Sequence, residues 1–278
     1  MTTRHALVLG GGGVAGIAWH TGVLSGLADA GVDVTGADLI VGTSAGATVA
    51  AQLGEGRPVD EWYRRQVDPA LQGRELAPAG MPISELWEVM IGLHQEVADS
   101  AERRRRIGAL ALATDTVAEP VRRAVVEGRL MEHAWPARSI AVVAVDALSG
   151  RRHVFDADSG VELVDAVTAS CAVPGIWPPV TIGGRRYIDG GVFSISNADL
   201  AAGYATVLVL APMTDPELDI QLEAVNASGH SMVVSPDEDA LTAFGINPLD
   251  PAVRGPAARA GHRQGGAVAP AVSSFWHG

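Results

Sequence analysis

The sequence predicts an α/β protein in which a central, mostly parallel sheet lies between two layers of helices and carries a helical insertion. Three observations support this. Strand and helix patterns alternate over the first 53 residues, the segment 58–134 has no strong strand pattern, and strand patterns return from residue 140. Alternation at this spacing indicates crossover connections, which produce parallel strands. We expect residues 1–278 to form a single domain, because this length can bury one large core.

Each element at the start of the chain is predicted from its apolar pattern and its boundaries. Residues 6–9 form a short apolar run that ends at glycine, as a buried strand does, and residues 14–30 form a helix that stops at Gly31. Residues 38–41 are a second strand. The alanine-rich run 47–53 is the next helix.

The segment 58–134 is predicted to contain several helices, and we interpret it as a cap over a cleft. Gly183-Gly184 is a two-residue hairpin signal between short strand patterns. The remaining predictions are strands at 140–145, 153–155, 180–182, 185–188, 206–210 and 232–235, a helix at 162–172, and a terminal helix at 250–264 with weak punctuation at Gly255 and Gly261.

Composition and charge exclude several classes. The net charge of −12 argues against nucleic-acid binding and strong adsorption to anionic lipid. The single cysteine, Cys171, permits no intramolecular disulfide. No run approaches the roughly 18 apolar residues of a spanning helix, and the apolar stretch after Arg4 is too short for a signal peptide. We expect a soluble, cytoplasmic protein. No metal-ligand spacing is present, so we expect no metal and no cofactor.

The most informative motif is the G-x-S-x-G stretch from Gly42 to Gly46, with Ser44 at its centre. It lies between a predicted strand and a predicted helix. This is the context of a nucleophile elbow, in which flanking glycines allow a sharp bend and expose the serine. Ser44 is therefore a candidate nucleophile rather than a residue of an ordinary turn.

A glycine-rich loop follows the first strand. Successive glycines can direct several backbone N–H groups at one anion. The anion can be a dinucleotide pyrophosphate, because Gly11, Gly13 and Gly16 satisfy G-x-G-x-x-G and Asp33 or Asp38 follows about 20 residues on. It can also be the oxyanion of an acyl intermediate. The neighbouring elbow favours the oxyanion.

A third motif, Asp189-Gly190-Gly191, follows the hairpin strand. Alone it is a common turn. A reactive serine needs a base, however, and the histidines are a poor source because none lies in a distinctive motif. They are His5, His20, His94, His133, His153, His230, His262 and His277.

With these three motifs in this order, the chain resembles a bacterial patatin-like phospholipase. The matching stretches are 7–24, 38–52 and 169–197, and the last includes Pro178-Pro179 and the Asp189 motif. The resemblance implies a three-layer α/β/α fold and a Ser–Asp dyad without a catalytic histidine. Residues 58–134 and the tail beyond about 212 lie outside it.

The resemblance also implies the roles of individual residues. Ser44 is the nucleophile, Asp189 is its base, and N–H groups around Gly11, Gly12 and Gly13 form the oxyanion hole. The implied activity is hydrolysis of carboxylic esters of lipids through an acyl-enzyme. The implied partner is a lipid or other acyl-ester substrate, with transient contact at a membrane surface. Burial in the cleft is expected to raise the Asp189 pKa above its ordinary value of about 3.9.

Two positions depart from the family pattern. Many relatives have Arg or Lys where this chain has Ala15, which leaves open whether the substrate is a phospholipid or a simpler ester. Relatives often continue Asn-x-Pro after the third motif, whereas this chain has Asn197-Ala198-Asp199.

Other interpretations remain. A Ser-His-Asp α/β-hydrolase explains the elbow, although Ser44 comes unusually early for that fold. A dinucleotide-binding oxidoreductase explains only the glycine loop, and a catalytically silent lipid-binding member is the third rival. Cys171 is interpreted as a packed residue. Arg103 to Arg106 are interpreted as a solvated helix face, and the tryptophans of 58–134 as core residues or an acyl-chain wall.

Overall fold

The computed structural model describes residues 4–278, and it has the α/β architecture that the sequence predicts. Its strands are β1 (His5–Leu9), β2 (Leu39–Thr43), β3 (Ser139–Asp146), β4 (Arg152–Phe155), β5 (Val180–Ile182), β6 (Arg185–Asp189), β7 (Thr206–Leu210) and β8 (His230–Val234). Its α-helices are α1 (Gly13–Asp29), α2 (Ala45–Gly54), α3 (Val59–Val67), α4 (Ile83–Glu96), α5 (Ser100–Ala113), α6 (Glu119–Glu127), α7 (Leu163–Ser170), α8 (Leu218–Asn226), α9 (Glu238–Phe244) and α10 (Arg254–His277).

The strands form one sheet in the order β5-β6-β3-β2-β1-β7-β8, with β4 paired to β3. The pairs β1–β2, β1–β7, β2–β3 and β7–β8 are parallel, while β5, β6 and β4 join in antiparallel fashion. The prediction of a mostly parallel sheet is confirmed. Because β1 and β2 are parallel neighbours, the glycine loop and the elbow emerge side by side at one edge.

Helices cover both faces of the sheet, as the three-layer prediction requires. Alternate residues of each strand point to opposite faces. Leu7 and Ile40 belong to the core shared with α1, α2, α7 and α10, whereas Val8 and Val41 face the other side, with α8. Ile107 of α5 packs farther along that second face.

The long terminal helix α10 packs closely along α1. A Cβ added at Gly22 of α1 would lie 2.1 Å from the carbonyl oxygen of Ala258, and one at Gly265 would lie 2.3 Å from that of Val23. The prediction that this helix ends near residue 264 is wrong, since α10 continues to His277. Gly261 does not punctuate the helix, because it brings the backbone within reach of Trp19, where an added Cβ would be 2.5 Å from the carbonyl oxygen.

The segment 58–134 contains helices, as predicted, but they pack in different places. Helix α3 lies on α1 and α10, α6 lies on α7, and α5 packs against the sheet. Helix α4 buries only Leu86 among its 14 residues. The interpretation of the whole segment as a cap stays a prediction.

Two helices, α8 and α9, fall in a part of the chain for which the sequence analysis predicted no helix. Asp237 caps α9 by accepting a hydrogen bond from the N–H of Ala240 at 2.8 Å, a local signal that the sequence did carry. Among residues 4–278, none of the helices is both long and apolar enough to cross a bilayer.

Candidate active site

Ser44 lies on a strained turn between β2 and α2. Its backbone has φ 53° and ψ −112°, a conformation that non-glycine residues rarely adopt. Such strain costs about 1–3 kcal/mol and persists where the surroundings fix it. Here the Ser44 N–H donates to Ser170 Oγ at 2.9 Å, and the Ser44 carbonyl accepts from Cys171 Sγ at 3.2 Å. The last residue of α7 and the residue that follows it therefore fix the backbone of the elbow.

The glycines of the elbow are required by close backbone contacts. A Cβ at Gly42 would lie 2.6 Å from Cα of Ala47, and one at Gly46 would lie 1.9 Å from the carbonyl oxygen of Leu9. The Gly46 N–H donates to the carbonyl of Gly10 at 3.2 Å. The elbow is thus joined directly to the glycine loop.

The glycine loop presents some of its N–H groups but not all. The Gly11 N–H donates to the carbonyl of Ile195 at 2.9 Å, so it is not free for an oxyanion, contrary to the expectation from the sequence. For the N–H groups of Gly12 and Gly13, residues 4–278 supply no hydrogen-bond acceptor, and both glycines line the cavity that contains Ser44. The free donors are therefore those of Gly12 and Gly13.

The backbone at Gly13 and Gly16 leaves little room for side chains. Gly13 has φ 63°, and an added Cβ would meet the carbonyl oxygen of Pro248 at 2.8 Å. A Cβ at Gly16 would lie 3.1 Å from Cβ of Ala45, which brings the starts of α1 and α2 together. The two helix N-termini consequently lie near Ser44, and their partial positive charge favours an anion there.

Asp189 reaches the same place from the end of β6. The register explains this, because Thr43 pairs with Val143 of β3, and the next residue of β3, Ala144, pairs with Asp189. Its Oδ1 accepts from the N–H of Gly191 at 2.8 Å. Its Oδ2 is buried and has no partner that meets hydrogen-bond geometry among the described residues. One carboxylate oxygen is therefore held and the other is free.

The environment of Asp189 favours a basic carboxylate. Burial raises the pKa of Asp189 to about 6, against the smaller lowering effects of the Ser44 hydroxyl, the Gly191 N–H and Arg122. Gly190 permits the close packing at this point, because an added Cβ would lie 2.3 Å from the carbonyl oxygen of Val143. A carboxylate with this pKa is a far better proton acceptor near neutral pH than an exposed aspartate.

Both side chains open onto one cavity of about 320 Å³. Its walls are mainly apolar and include Leu86, Trp87 and Met90 of α4. Arg103 and Arg104 also line it, whereas Arg105 and Arg106 pair with Glu102 on the outer face, so the four arginines are not one solvated stripe. This lining suits an apolar group with a polar end.

No histidine takes part in this arrangement. All eight lie within residues 4–278, and none hydrogen-bonds to Ser44 or Asp189 in the described structure. His20 is buried in α1, and burial lowers its pKa to about 4. His94 is on the cavity wall without such a contact.

Three residues for which the sequence predicted no role contact the site. Ser170 accepts from the Ser44 N–H, as described above. Asn197 is buried with φ 52° and donates through Nδ2 to Thr43 Oγ1 at 3.1 Å, which holds the strand end before the elbow. Arg122 of α6 is buried beside Trp177. Only Asn197 carried a sequence signal, its place after the third motif.

A strained serine, a basic carboxylate and free backbone donors around one apolar cavity make up a candidate site for acyl transfer. The family model for patatin-like phospholipase matches residues 7–202, which is more than half of the chain, and the chain belongs to that family. Membership supports the general activity of a lipid acyl hydrolase.

Solved structures that are similar to this chain include VipD and ExoU. VipD from Legionella pneumophila has 13% sequence identity and a TM-score of 0.48, with 98% of this chain and 67% of that chain covered. The type III effector protein ExoU has 16% identity and a TM-score of 0.36, with 95% of this chain and 53% of that chain covered.

Proposed function

We propose that this protein hydrolyses carboxylic esters of lipids through an acyl-enzyme on Ser44, with Asp189 as the general base. The observation that carries the proposal is that the buried Asp189 and the strained Ser44 line one apolar cavity: Asp189 Oδ2 has no partner at hydrogen-bond geometry among the described residues, and the Ser44 hydroxyl is near enough to lower the Asp189 pKa. A buried carboxylate oxygen without a partner is costly for a fold, and a serine proton is a fitting partner for it.

The chemistry follows from these groups. Ser44 Oγ bonds to the carbonyl carbon while its proton passes to Asp189, and the carbonyl electron pair moves onto the oxygen. The N–H groups of Gly12 and Gly13 are the proposed donors to that oxyanion. When the C=O bond re-forms, the ester C–O bond breaks and the alcohol leaves with the proton from Asp189. Water then repeats the sequence on the acyl-enzyme.

The walls of the cavity support a lipid as substrate. Leu86, Trp87 and Met90 of α4 provide an apolar surface for an acyl chain. The same helix also exposes apolar side chains to solvent, since Trp87 is 39% and Ile91 is 57% exposed. We propose that α4, within the segment 58–134, is the part of the expected cap that meets lipid. The proposal includes transient contact of α4 with a membrane surface.

The test is substitution of each member of the dyad. Ser44→Ala and Asp189→Asn should each lower kcat/KM for a nitrophenyl ester by at least about 1,000-fold, because they act as a unit. Ser159 and Asp156 provide a matched control, since they form a surface Ser–Asp hydrogen bond of 2.7 Å, so Ser159→Ala and Asp156→Asn should leave kcat/KM unchanged. Near-normal turnover in a folded Ser44→Ala or Asp189→Asn variant would refute the dyad.

The same assay distinguishes the dyad from a Ser-His-Asp triad, in which one histidine would be essential. Of the eight histidines, His94 lines the cavity, so His94→Gln is the informative variant. A loss comparable to that of Asp189→Asn would favour the triad. Retention of activity supports the dyad.

A further inference from the structure

A second, smaller cavity lies next to Ser44 and has a charged wall. Its volume is about 20 Å³, enough for one oxygen-sized group. It is bounded by Ser44, by Gly13 at the start of α1, by Ala45 at the start of α2 and by Arg122. Because Ser44 and Gly13 also line the large cavity, the two cavities meet at the candidate nucleophile.

Arg122, which bounds this cavity, has buried hydrogen-bond donors without partners among the described residues. The residue is 4% exposed, and its Nε and Nη1 have no hydrogen-bond partner within residues 4–278. Its guanidinium lies 3.9 Å from the centroid of the Trp177 ring, and Nη1 is 3.8 Å from Glu75 Oε2, beyond hydrogen-bond distance. Buried arginine donors normally have hydrogen-bond partners, so the lack of partners here indicates that a ligand binds at this place.

The charges around Arg122 do not balance locally. Glu75 accepts two hydrogen bonds from Arg129, at 2.9 and 2.8 Å, and Arg254 lies 3.8 Å from the same carboxylate. Three buried guanidinium groups therefore lie around the Glu75 carboxylate, and Asp189 is the second carboxylate whose charge acts on Arg122. Burial alone would raise the pKa of Glu75, but the three arginines together lower it. Buried excess positive charge is unfavourable unless an anion accompanies it.

We propose that the small cavity completes the oxyanion site, with Arg122 as a charged donor to the oxygen that becomes negative when Ser44 attacks the ester. The space fits one oxygen, and the N-termini of α1 and α2 add partial positive charge. The glycine loop has no cation of its own, because Ala15 precedes its last glycine. A larger anionic group would instead meet Arg103 and Arg104 in the large cavity.

This inference rests on the proposed function, and its first test is Arg122→Gln. At a pH well above the Asp189 midpoint, kcat/KM should fall by about 100- to 1,000-fold for a neutral nitrophenyl ester and for a phospholipid alike. Arg122→Lys keeps the positive charge, so its kcat/KM should be at least about tenfold higher than that of Arg122→Gln. Arg123→Gln is the matched control, because Arg123 pairs at the surface with Glu162 and Asp165. This variant should leave kcat/KM unchanged for both substrates.

A readout beyond turnover is the affinity for an alkyl trifluoromethyl ketone, which forms an oxyanion adduct with a reactive serine. Its Ki should rise in Arg122→Gln in proportion to the loss of kcat/KM. Two results would overturn the inference. One is a loss restricted to the phospholipid, which would make Arg122 a head-group residue. The other is a loss that disappears at high pH, which would mean that Arg122 acts only through Asp189.

A wild-type measurement keeps the inference testable if Arg122→Gln does not fold. In a crystal structure of the protein phosphonylated on Ser44 by a fluorophosphonate, a phosphonyl oxygen should lie within about 3.2 Å of Arg122 Nε or Nη1. An adduct with no oxygen near Arg122 contradicts the inference while leaving the proposed function intact. Failure of the wild type to hydrolyse any ester, or to react with the phosphonate, counts against the proposed function itself.

Discussion

The floor and the roof of the large cavity are built in opposite ways. The floor consists of the glycine loop 10–16, the elbow 42–46 and Asp189, and methyl groups added at Gly13, Gly42 or Gly46 would collide with neighbouring backbone. The roof is α4, which buries one side chain and exposes Trp87 and Ile91. From this difference we expect the proposed chemistry to depend on fixed geometry and substrate binding to depend on the exposed surface of α4.

The largest expected effect is that of adding one methyl group to the floor. Gly46→Ala places a Cβ 1.9 Å from the Leu9 carbonyl oxygen, so the elbow or β1 must move. We expect a loss of more than about 4 kcal/mol in the free energy of unfolding, or no folded protein, together with loss of activity.

The control for this change lies in the roof. Gly92 is inside α4 and has nothing within 4 Å of an added Cβ. Gly92→Ala should increase the free energy of unfolding by about 0.5–1 kcal/mol, because alanine favours helix. Urea unfolding of the two variants and wild type would measure both changes. Similar effects at the two positions would remove the contrast between floor and roof.

The next effect concerns the charge that the floor buries. With its pKa raised to about 6, Asp189 is ionised only above that pH, so kcat/KM should fall as the pH drops through about 6. The unfolded carboxyl ionises near 3.9, so the native state binds the extra proton and loses stability as the pH rises from about 4 to 6. Asp189→Asn should therefore stabilise the fold at pH 7 by about 1–3 kcal/mol while abolishing activity.

The check is urea unfolding of wild type and Asp189→Asn at pH 4 and pH 7. The stability difference should be present at pH 7 and nearly absent at pH 4. A variant that is less stable than wild type at both values would mean that Asp189 is ionised and well satisfied in the fold, contrary to the geometry at its Oδ2.

The smallest effect is expected in the roof. Trp87→Ala removes an apolar surface from the cavity wall but should leave the floor intact. We expect kcat/KM for a long-chain nitrophenyl ester to fall about three- to tenfold more than for a short-chain ester, which corresponds to about 1 kcal/mol of lost contact. Leu148, which is 71% exposed outside the cavity, gives the control variant Leu148→Ala. An equal loss on both esters would mean that Trp87 stabilises the fold and does not contact the acyl chain.

Local patterns were sufficient for much of the fold and for the main candidate residues. The strand and helix that flank Ser44, and the hairpin before Asp189, each had apolar runs bounded by glycine, and the structure has them within a few residues. The glycine loop was also found, but the engagement of the Gly11 N–H depends on Ile195, 184 positions away in the chain, and no local pattern indicates it.

Residues that act through distant packing could not be predicted. Arg122 stands in a helix beside Arg123 with nothing in the sequence to separate them, yet one is buried next to Trp177 and the other pairs at the surface. The end of α10 was misplaced for the same reason. Its glycines resemble helix breakers locally, and only their contact with α1 explains them.

The packing of α10 on α1 also joins two parts of the chain that are far apart in sequence. Helix α1 follows the glycine loop directly and is buried along nearly its whole length, but the surface that covers Trp19 and Val23 is supplied by residues 254–277. During synthesis the helix after the glycine loop leaves the ribosome before α10, which lies more than 200 positions later in the chain. A fragment limited to the family-matched residues 7–202 would expose the face of α1 that α10 covers, so any shortened form of the protein made for expression should retain α10.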